Sequence, residues 1–350
     1  MSSKYHTLRV TAVVAETQDA KSIVFDVPAQ QATDFAYKPG QFLTLRLPIG
    51  GRHVPRCYSM SSTPGLDQGL RVTVKRVAGG RGSNWICDHL RSGDQIEVMP
   101  PAGVFTPRTL QGDFLLLAGG SGITPMFSIL RAALSQGQGR LVLLYANRDE
   151  RSVIFRDELK ALAAAYPTRL QVIHWLDSVQ GVPSVAQLAE LARAGASPQR
   201  QAFICGPGPF MDAAVEALQA LETPSEQVHV ERFASLPDEE STAERAAEVA
   251  AAPVPEAVDE ARLTLRLDGV EHELVCRGGE TVLEAALRAG LSAPYSCQAG
   301  LCASCMCQVL EGSVHLRHNE ALDKKDLAKA WTLACQAVPT SERLRIRFPE

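Results

Sequence analysis

Apolar and polar residues alternate along the first part of the chain, in short runs separated by turn residues. Within residues 1–107, apolar side chains recur at about every second position in the runs 8–14, 42–47 and 70–77. Alternation of this kind predicts strands with one buried face, and Gly and Pro mark the turns between them. A short helix is expected at 83–90. The whole pattern is typical of an antiparallel β-barrel.

The pattern changes in residues 108–234, where apolar runs of strand length alternate with helical stretches. The runs that predict strands are 114–118, 141–145, 170–175, 202–205 and 228–230. The runs that predict helices begin near Pro125, Val153, Ser184 and Pro209. Strands that alternate with helices indicate βαβ units and therefore an α/β domain with a parallel sheet.

Two further segments complete the chain. Residues 235–260 lack periodicity and are rich in Ala, Glu and Pro, so we interpret them as an acidic, solvated linker. A short helix at 242–251 is the alternative. Residues 261–350 form a last, α+β unit. Its predicted strands are 263–267, 271–276, 306–310 and 343–348, and its predicted helix is 281–289.

Composition limits the function classes. The 350 residues include 35 Lys and Arg against 39 Asp and Glu, a net charge of −4. This balance gives no reason to expect binding to nucleic acid or to an anionic membrane surface. No apolar run approaches the ~18 residues of a membrane span, and the first residues lack the apolar core of a secretion signal. We therefore expect a cytoplasmic protein with reduced thiols.

Four of the nine cysteines fall within eleven residues near the end of the chain. A reducing compartment and an odd total disfavour disulfides. Zinc usually takes two close pairs of cysteines, and a catalytic thiol needs no such neighbours. Cys297, Cys302 and Cys305 have the C-x₄-C-x₂-C spacing of plant-type 2Fe-2S clusters, and Cys335 supplies the distant fourth ligand. Cys307 is expected in the core.

Two stretches of the first segment suit a phosphate and a flat heterocycle. The stretch Arg56-Cys-Tyr58-Ser59 combines a guanidinium for phosphate oxygens with a ring and a hydroxyl. A glycine turn ending in Gly82-Ser83 precedes the predicted helix, where Ser83 can act as N-cap and the helix N-terminus favours phosphate. An ordinary strand and an ordinary turn are the alternatives, but the two stretches together favour a bound dinucleotide.

Two glycine loops follow strands of the second segment. Their sequences are Gly119-Gly120-Ser121-Gly122-Ile123-Thr124-Pro125 and Cys205-Gly206-Pro207-Gly208-Pro209. Pro125 suits the first turn of a helix that Thr124 can cap. Since nucleotides bind at the carboxyl ends of parallel strands, the two loops outline a crevice there.

These four stretches, in this order, resemble the ferredoxin–NADP reductase superfamily. Its pattern is Arg-x-Tyr-Ser, Gly-x-x-Ser, Gly-x-Gly-x-x-Pro and Cys-Gly-Pro. The resemblance implies FAD on the barrel and a nicotinamide dinucleotide on the parallel sheet. Implied contacts of FAD are Arg56, Gly82 and Ser83 with the pyrophosphate, Tyr58 and Ser59 with the isoalloxazine, and Phe233 near the flavin.

The same resemblance implies the site of the nicotinamide dinucleotide. Its implied contacts are Gly120, Gly122, Thr124, Gly206 and Pro207, with Cys205 beside the nicotinamide ring. Tyr58, Ser59 and Cys205 are thereby the candidate catalytic residues. Arg148 or Arg151 suits the 2′-phosphate of NADPH, whereas Asp149 suits the ribose 2′-hydroxyl of NADH. We favour NADH.

The last segment resembles a plant-type ferredoxin domain with a β-grasp fold. The order of domains resembles reductase components of bacterial oxygenases. On the stretches 145–155 and 174–181, the chain is most similar to reductases of 3-ketosteroid 9α-hydroxylases, whose partner is a Rieske oxygenase. Phenylacetyl-CoA epoxidase reductases come next. The implied function is electron transfer from NAD(P)H through FAD and the 2Fe-2S cluster to a partner oxygenase. A redox sensor without turnover and a fixed electron-transfer subunit are the alternatives.

Overall fold

The structure is a computed structural model that describes residues 5–193, 197, 199–233, 258–295, 297–300, 302–319, 321–322 and 324–349. The predicted linker therefore lies outside the described residues, apart from 258–260. The chain separates into two compact units. The first runs to residue 233, except for the short stretches 50–56 and 102–104, which group with the second unit, 234–350.

An antiparallel sheet opens the first unit. Its strands are β1 His6–Thr17, β2 Ala20–Asp26, β3 Phe42–Ile49, β4 Arg52–Ser59, β5 Leu70–Lys75 and β6 Gln95–Val98. They lie in the order β4-β3-β6-β1-β2-β5, and a bridge between Met60 and Val72 joins the two ends of this order. The sheet therefore closes into a barrel. Helix α1, Arg81–His89, buries Ile86 and Cys87 in the barrel core.

A parallel sheet with helices follows. Its strands are β7 Phe114–Gly119, β8 Leu141–Asn147, β9 Leu170–Leu176, β10 Gln201–Cys205 and β11 Val228–Glu231. Its helices are α2 Ile123–Gln136, α3 Arg156–Ala165, α4 Asp177–Gln180, α5 Val185–Ala192 and α6 Gly208–Ala220. The strands lie in the order β11-β10-β7-β8-β9. The direction of chain order thus reverses between β7 and β10, which is where doubly wound sheets form a crevice.

Burial on both faces explains the unbroken apolar sequence of β7. Phe114, Leu116 and Ala118 belong to one buried cluster, with residues of α2 and α3. Leu115 and Leu117 belong to a second cluster, with residues of α5 and α6. A parallel strand covered by helices on both faces needs apolar residues at every position.

Polar contacts join α2 to the loop between β4 and β5. The Arg131 guanidinium binds the Asp67 carboxylate, with an Nη2–Oδ1 distance of 3.0 Å. Ser128 Oγ donates to the Ser62 carbonyl at 2.6 Å. Although burial opposes it, the bonds from Arg131 and from the Thr63 N–H lower the pKa of Asp67. The barrel and the parallel sheet are thereby linked through charged as well as neutral hydrogen bonds.

The second unit is a mixed sheet with one main helix. Its strands are β12 Glu260–Leu267, β13 Val270–Arg277, β14 Met306–Glu311, β15 Val314–Leu316, β16 Trp331–Leu333, β17 Ala337–Pro339 and β18 Arg343–Arg347. Its helices are α7 Val282–Arg288 and α8 Lys324–Ala328. Five strands lie in the order β13-β12-β18-β14-β16, with β12 and β18 parallel, while β15 pairs with β17. A capping box of Thr281 and Glu284 starts α7.

The predicted helix caps were wrong in two places. Helix α1 starts after Gly80, and the Ser83 hydroxyl accepts a bond from the Val77 N–H at 3.2 Å instead of capping. The turn Gly120–Gly122 runs directly into α2, so Thr124 already lies inside the first turn. Its hydroxyl donates to the Ser121 carbonyl at 3.0 Å. In both cases glycine turns let the helix begin earlier than the polar residue predicts. Across the described ranges, none of the helices has the length and apolar character of a membrane span.

Candidate functional site

The ends of β4, β10 and β11 meet at one polar junction. Ser59, the last residue of β4, is almost fully buried and donates from Oγ to Glu231 Oε2 at 3.3 Å. Glu231 ends β11 and lies in register with Cys205, which ends β10. Two of the predicted catalytic residues, Ser59 and Cys205, are thus brought to one place. Tyr58 packs at the edge of the barrel core.

Glu231 was not among the residues that the sequence motifs indicated; Phe233 was the only candidate from the same stretch. Glu231 is half-buried, and desolvation of its carboxyl group raises its pKa from 4.5 to about 8, while the bond from Ser59 opposes the rise. The carboxyl group is therefore largely protonated at neutral pH and can hold or release a proton near it. A carboxylate at the carboxyl end of a parallel strand was the signal in the sequence. Phe233 itself is 48% exposed.

Cys205 is fully buried and stays a thiol. Burial, and then the negative charge of Glu231 when that group is ionised, raise the pKa of Cys205 well above its usual value. A neutral thiol is a weak nucleophile. The arrangement therefore does not suit covalent catalysis by this thiol.

The two glycine loops touch backbone to backbone. A Cβ atom on Gly122 would come within 2.1 Å of the Cys205 carbonyl oxygen, and one on Gly206 within 2.9 Å of the Gly119 nitrogen. Gly120 has φ +52°, and the nearest atom to its missing Cβ is Lys75 Nζ at 3.7 Å. Only glycine permits this approach. The loops form a cradle with a positive charge beside it, which fits the pyrophosphate of a dinucleotide.

Two buried polar groups further along the same sheet edge lack partners among the described residues. Asn147 ends β8 and is 3% exposed, and apart from a weak interaction with the Tyr145 hydroxyl neither its Oδ1 nor its Nδ2 makes a hydrogen bond. Asp177 follows β9, and its buried Oδ1 has no partner there either. Desolvation raises the pKa of Asp177. Unpaired buried polar atoms are rare because each costs ~1–3 kcal/mol. Polar groups of a bound dinucleotide would satisfy them, so the residues present fit this group.

Arg148 and Asp149 bind each other beside this edge. Arg148 Nε donates to Asp149 Oδ2 at 3.1 Å, and the side chain also lies 3.9 Å from Asp19 Oδ2. Asp149 Oδ1 accepts from the Ser152 N–H at 2.9 Å and from the Ser152 hydroxyl at 2.8 Å. These Ser152 bonds, followed by Arg148, lower the pKa of Asp149. The positive charge of Arg148 is therefore balanced by carboxylates.

The other predicted flavin contacts lie on β4 and at the start of α1. Arg56 lies on β4, and its Nη1 donates to the Pro55 carbonyl at 2.7 Å. Helix α1 begins after Gly80 without a side-chain cap, and Gly82 and Ser83 are buried in its first turn. The first N–H groups of a helix have no partner inside it and favour a phosphate. This helix start fits the pyrophosphate of FAD.

Four cysteines pair within the second unit. The thiol of Cys297 contacts that of Cys302, and the thiol of Cys305 contacts that of Cys335. In the described part of the chain, no group of three His, Cys, Asp or Glu side chains is placed so that it could hold one metal ion. A 2Fe-2S cluster needs two pairs instead, because each iron takes two protein ligands. Cys307 is fully buried in the core, as predicted.

The backbone of this cysteine loop is unusual. Gln298, Gly300 and Ala303 all have positive φ, at 53°, 75° and 52°. Left-handed conformations cost roughly 1–2 kcal/mol for residues other than glycine. The loop also turns N–H groups towards sulfur: Ala299 N lies 3.4 Å from Cys297 Sγ, and Cys297 N lies 3.4 Å from Cys302 Sγ. N–H groups aimed at sulfur stabilise a negatively charged cluster, so the four cysteines fit a 2Fe-2S group.

Comparison with known proteins agrees with this architecture. Residues 7–106 match the family described as oxidoreductase FAD-binding domain, 116–216 the oxidoreductase NAD-binding domain, and 265–340 the 2Fe-2S iron-sulfur cluster binding domain. The chain is 50% identical over 342 residues to the ferredoxin reductase component of 3-ketosteroid-9-alpha-monooxygenase from Rhodococcus rhodochrous. That match covers 97% of this chain and 96% of the relative. The chain belongs to the FAD-, NAD- and 2Fe-2S-binding reductase components of oxygenases.

Other relatives of this reductase share the whole architecture. One component of the 1,2-phenylacetyl-CoA epoxidase from Escherichia coli is 38% identical over 363 residues, which covers 98% of each chain. The solved structure of phthalate dioxygenase reductase superposes with a TM-score of 0.57 at 23% identity, and it covers 98% of each chain. The predicted multidomain fold, the FAD and 2Fe-2S cofactors and the nicotinamide dinucleotide are thus confirmed for this reductase.

The raised pKa of Glu231 gives a testable pH dependence. The folded reductase binds this proton more tightly than the unfolded chain, so the stabilising effect is complete below about pH 4.5 and is lost as the pH rises through about 8. We expect the urea-unfolding free energy of the holoprotein to fall by on the order of 5 kcal/mol across this window, because each pKa unit corresponds to about 1.4 kcal/mol. Glu231→Gln should remove this part of the slope.

Glu226→Gln, in the exposed turn Ser225–Gln227, is the matched control and should keep the wild-type pH profile. A Glu231→Gln profile that runs parallel to wild type between about pH 6 and 9 would contradict the assignment of the proton to Glu231.

Proposed function

We propose that this reductase takes electrons from NADH and delivers them singly to a Rieske oxygenase of the 3-ketosteroid 9α-hydroxylase type. The observation that supports this choice most strongly is the 50% identity to the Rhodococcus reductase over almost the whole of both chains. A phenylacetyl-CoA epoxidase as partner is the second candidate, supported by the 38% identity to the Escherichia coli protein.

The chemistry of the bound groups follows from their class. Flavin accepts two electrons as hydride from a nicotinamide and returns them one at a time, and a 2Fe-2S cluster carries single electrons. The protein's own residues bind, orient and shield these groups. Ser59 and Glu231 hold a proton at the junction of β4 and β11. Cys205, whose thiol stays neutral, is proposed to lie beside the nicotinamide ring.

The residues proposed to hold FAD come from β4, α1 and the end of the first unit. Arg56 and the N–H groups around Gly82 and Ser83 bind the pyrophosphate, in keeping with the uncapped start of α1. Tyr58 and Ser59 contact the isoalloxazine. Phe233 is proposed to lie beside the flavin, and its 48% exposed ring is available for stacking.

The residues proposed to hold the nicotinamide dinucleotide line the sheet edge. The glycine cradle binds the pyrophosphate, and Arg148 is a further contact at the edge beyond β8. The residues proposed for the cradle are Gly120, Gly122, Thr124, Gly206 and Pro207. The proposed ligands of the 2Fe-2S cluster are Cys297, Cys302, Cys305 and Cys335.

The preference for NADH rests on negative charge at the adenosine side of the edge. Asp177 has a buried oxygen there that lacks a partner among the described residues and can accept a bond from a ribose 2′-hydroxyl. Asp149 and Asp19 balance the charge of Arg148. A 2′-phosphate would therefore meet carboxylates and a guanidinium that is already paired with them, which disfavours NADPH.

We also propose domain boundaries and a location. The flavin domain spans 1–107, the nucleotide domain 108–234, the linker 235–260 and the ferredoxin domain 261–350. The cytoplasm is the proposed compartment, because the cysteine ligands must stay reduced to bind iron.

Replacing Asp177 tests the nucleotide preference. Wild type should have the higher kcat/KM with NADH. Asp177→Asn removes one negative charge with little change of shape, so the kcat/KM for NADPH should rise relative to that for NADH by about 5–20-fold. Asp157→Asn, at the exposed start of α3, is the control and should leave the ratio unchanged. A wild-type preference for NADPH, or an unchanged ratio in Asp177→Asn, would reject the proposal.

Removing one proposed cluster ligand tests the order of the carriers. Cys302→Ser should keep NADH-dependent reduction of ferricyanide, which can take electrons at the flavin, but should lose cytochrome c reduction by at least about tenfold. Cys307→Ala, a buried core substitution next to the loop, should keep both activities and its iron.

Rapid reduction of both acceptors by wild type also separates a reductase from a redox sensor, which turns over slowly. Stoichiometric co-purification with an oxygenase would instead favour a fixed subunit. Survival of both activities in Cys302→Ser would overturn the proposed order.

A further inference from the structure

Gln336 directly follows the fourth cysteine and lies against the cysteine loop. The residue is 8% exposed. Its Nε2 donates to the Gln298 carbonyl at 2.9 Å and lies 3.8 Å from Cys335 Sγ. One carboxamide thus contacts both parts of the cysteine site, although they lie far apart in sequence.

The main chain around Gln336 is fixed on both sides. Its N–H donates to the Leu333 carbonyl at 2.8 Å, and its carbonyl accepts from the Arg317 N–H at 3.0 Å. These two bonds fix the main chain from which the side chain extends. The Nε2 group itself is held by its bond to the Gln298 carbonyl and by the burial of the residue.

The loop residues that Gln336 touches are conformationally demanding. Gln298 has φ +53°, a costly conformation for a residue with a side chain, and its carbonyl is the group that Gln336 binds. A Cβ on Gly300 would come within 3.2 Å of Gln336 Cγ and 2.6 Å of the His318 carbonyl oxygen. The bond to Gln298 thus stabilises the turn that directs the Ala299 N–H to Cys297 Sγ.

We propose that Gln336 is a positioning residue that raises the reduction potential of the 2Fe-2S cluster. When the cluster gains one electron, no bond forms or breaks and one negative charge is added, partly on the sulfurs. The Nε2–H of Gln336, directed at Cys335 Sγ, stabilises that charge directly. Its bond to the Gln298 carbonyl also aligns the Ala299 N–H with Cys297 Sγ. This inference rests on the proposed ligation by the four cysteines.

The test is an EPR-monitored redox titration of the holoprotein with Gln336→Met. Methionine keeps a similar length and volume but has no N–H, so the midpoint potential should fall, with a change in the EPR g-values and an unchanged iron content. Gln308→Met is the matched control. Gln308 also donates from Nε2 to a backbone carbonyl, that of Lys329 at 3.0 Å, on β14 rather than in the cysteine loop. This control should keep the wild-type potential.

Gln336→Glu provides a second variant of the same length. When ionised, its carboxylate cannot donate and adds negative charge, so at a pH where it is ionised the potential should fall further than in Gln336→Met. A wild-type potential and wild-type g-values in cluster-containing Gln336→Met would overturn the inference. Absence of a 2Fe-2S signal from wild type would instead reject the proposed ligation itself, so the two failures are distinguishable.

Discussion

Backbone contact between two glycine loops is the constraint on which the first unit's site depends. No side chain fits at Gly122, because a Cβ there would lie 2.1 Å from the Cys205 carbonyl oxygen. The contact joins the carboxyl ends of β7 and β10 at the point where the strand order reverses. It also brings Cys205 and Glu231, its neighbour in register, to the end of β4, where Ser59 binds Glu231. The glycine cradle and the polar junction of Ser59 and Glu231 therefore both depend on this close approach of the two backbones.

The cysteine site of the second unit depends instead on a strained backbone. Its loop accepts left-handed φ at Gln298 and Ala303 and turns backbone N–H groups towards thiols. Strained backbone persists only where the surroundings fix it, and here the side chain of Gln336 contributes to that support. The sites for the hydride acceptor and for the one-electron carrier thus lie in separate folded units of one polypeptide. Conversion of a two-electron donor into single-electron transfers requires both carriers.

Local patterns predicted the elements and the motifs, and long-range contacts decided what was missed. Alternation predicted the strands of the barrel, and the apolar run of β7 predicted a strand buried on both faces, because both signals depend on neighbouring residues. The glycine loops were predictable since close backbone approach demands glycine. Glu231 was missed because its partner Ser59 lies 172 positions away. Ser83 and Thr124 were wrong as caps because glycine turns start both helices earlier.

Anaerobic titration of the purified holoprotein with NADH, followed by visible absorption and EPR, tests the central claim most directly. If one chain carries both groups and connects them, NADH should bleach the flavin absorption and then produce the EPR signal of a reduced 2Fe-2S cluster, in amounts that match the bound flavin. Bleaching of the flavin while a fully loaded cluster stays oxidised and EPR-silent would contradict the account.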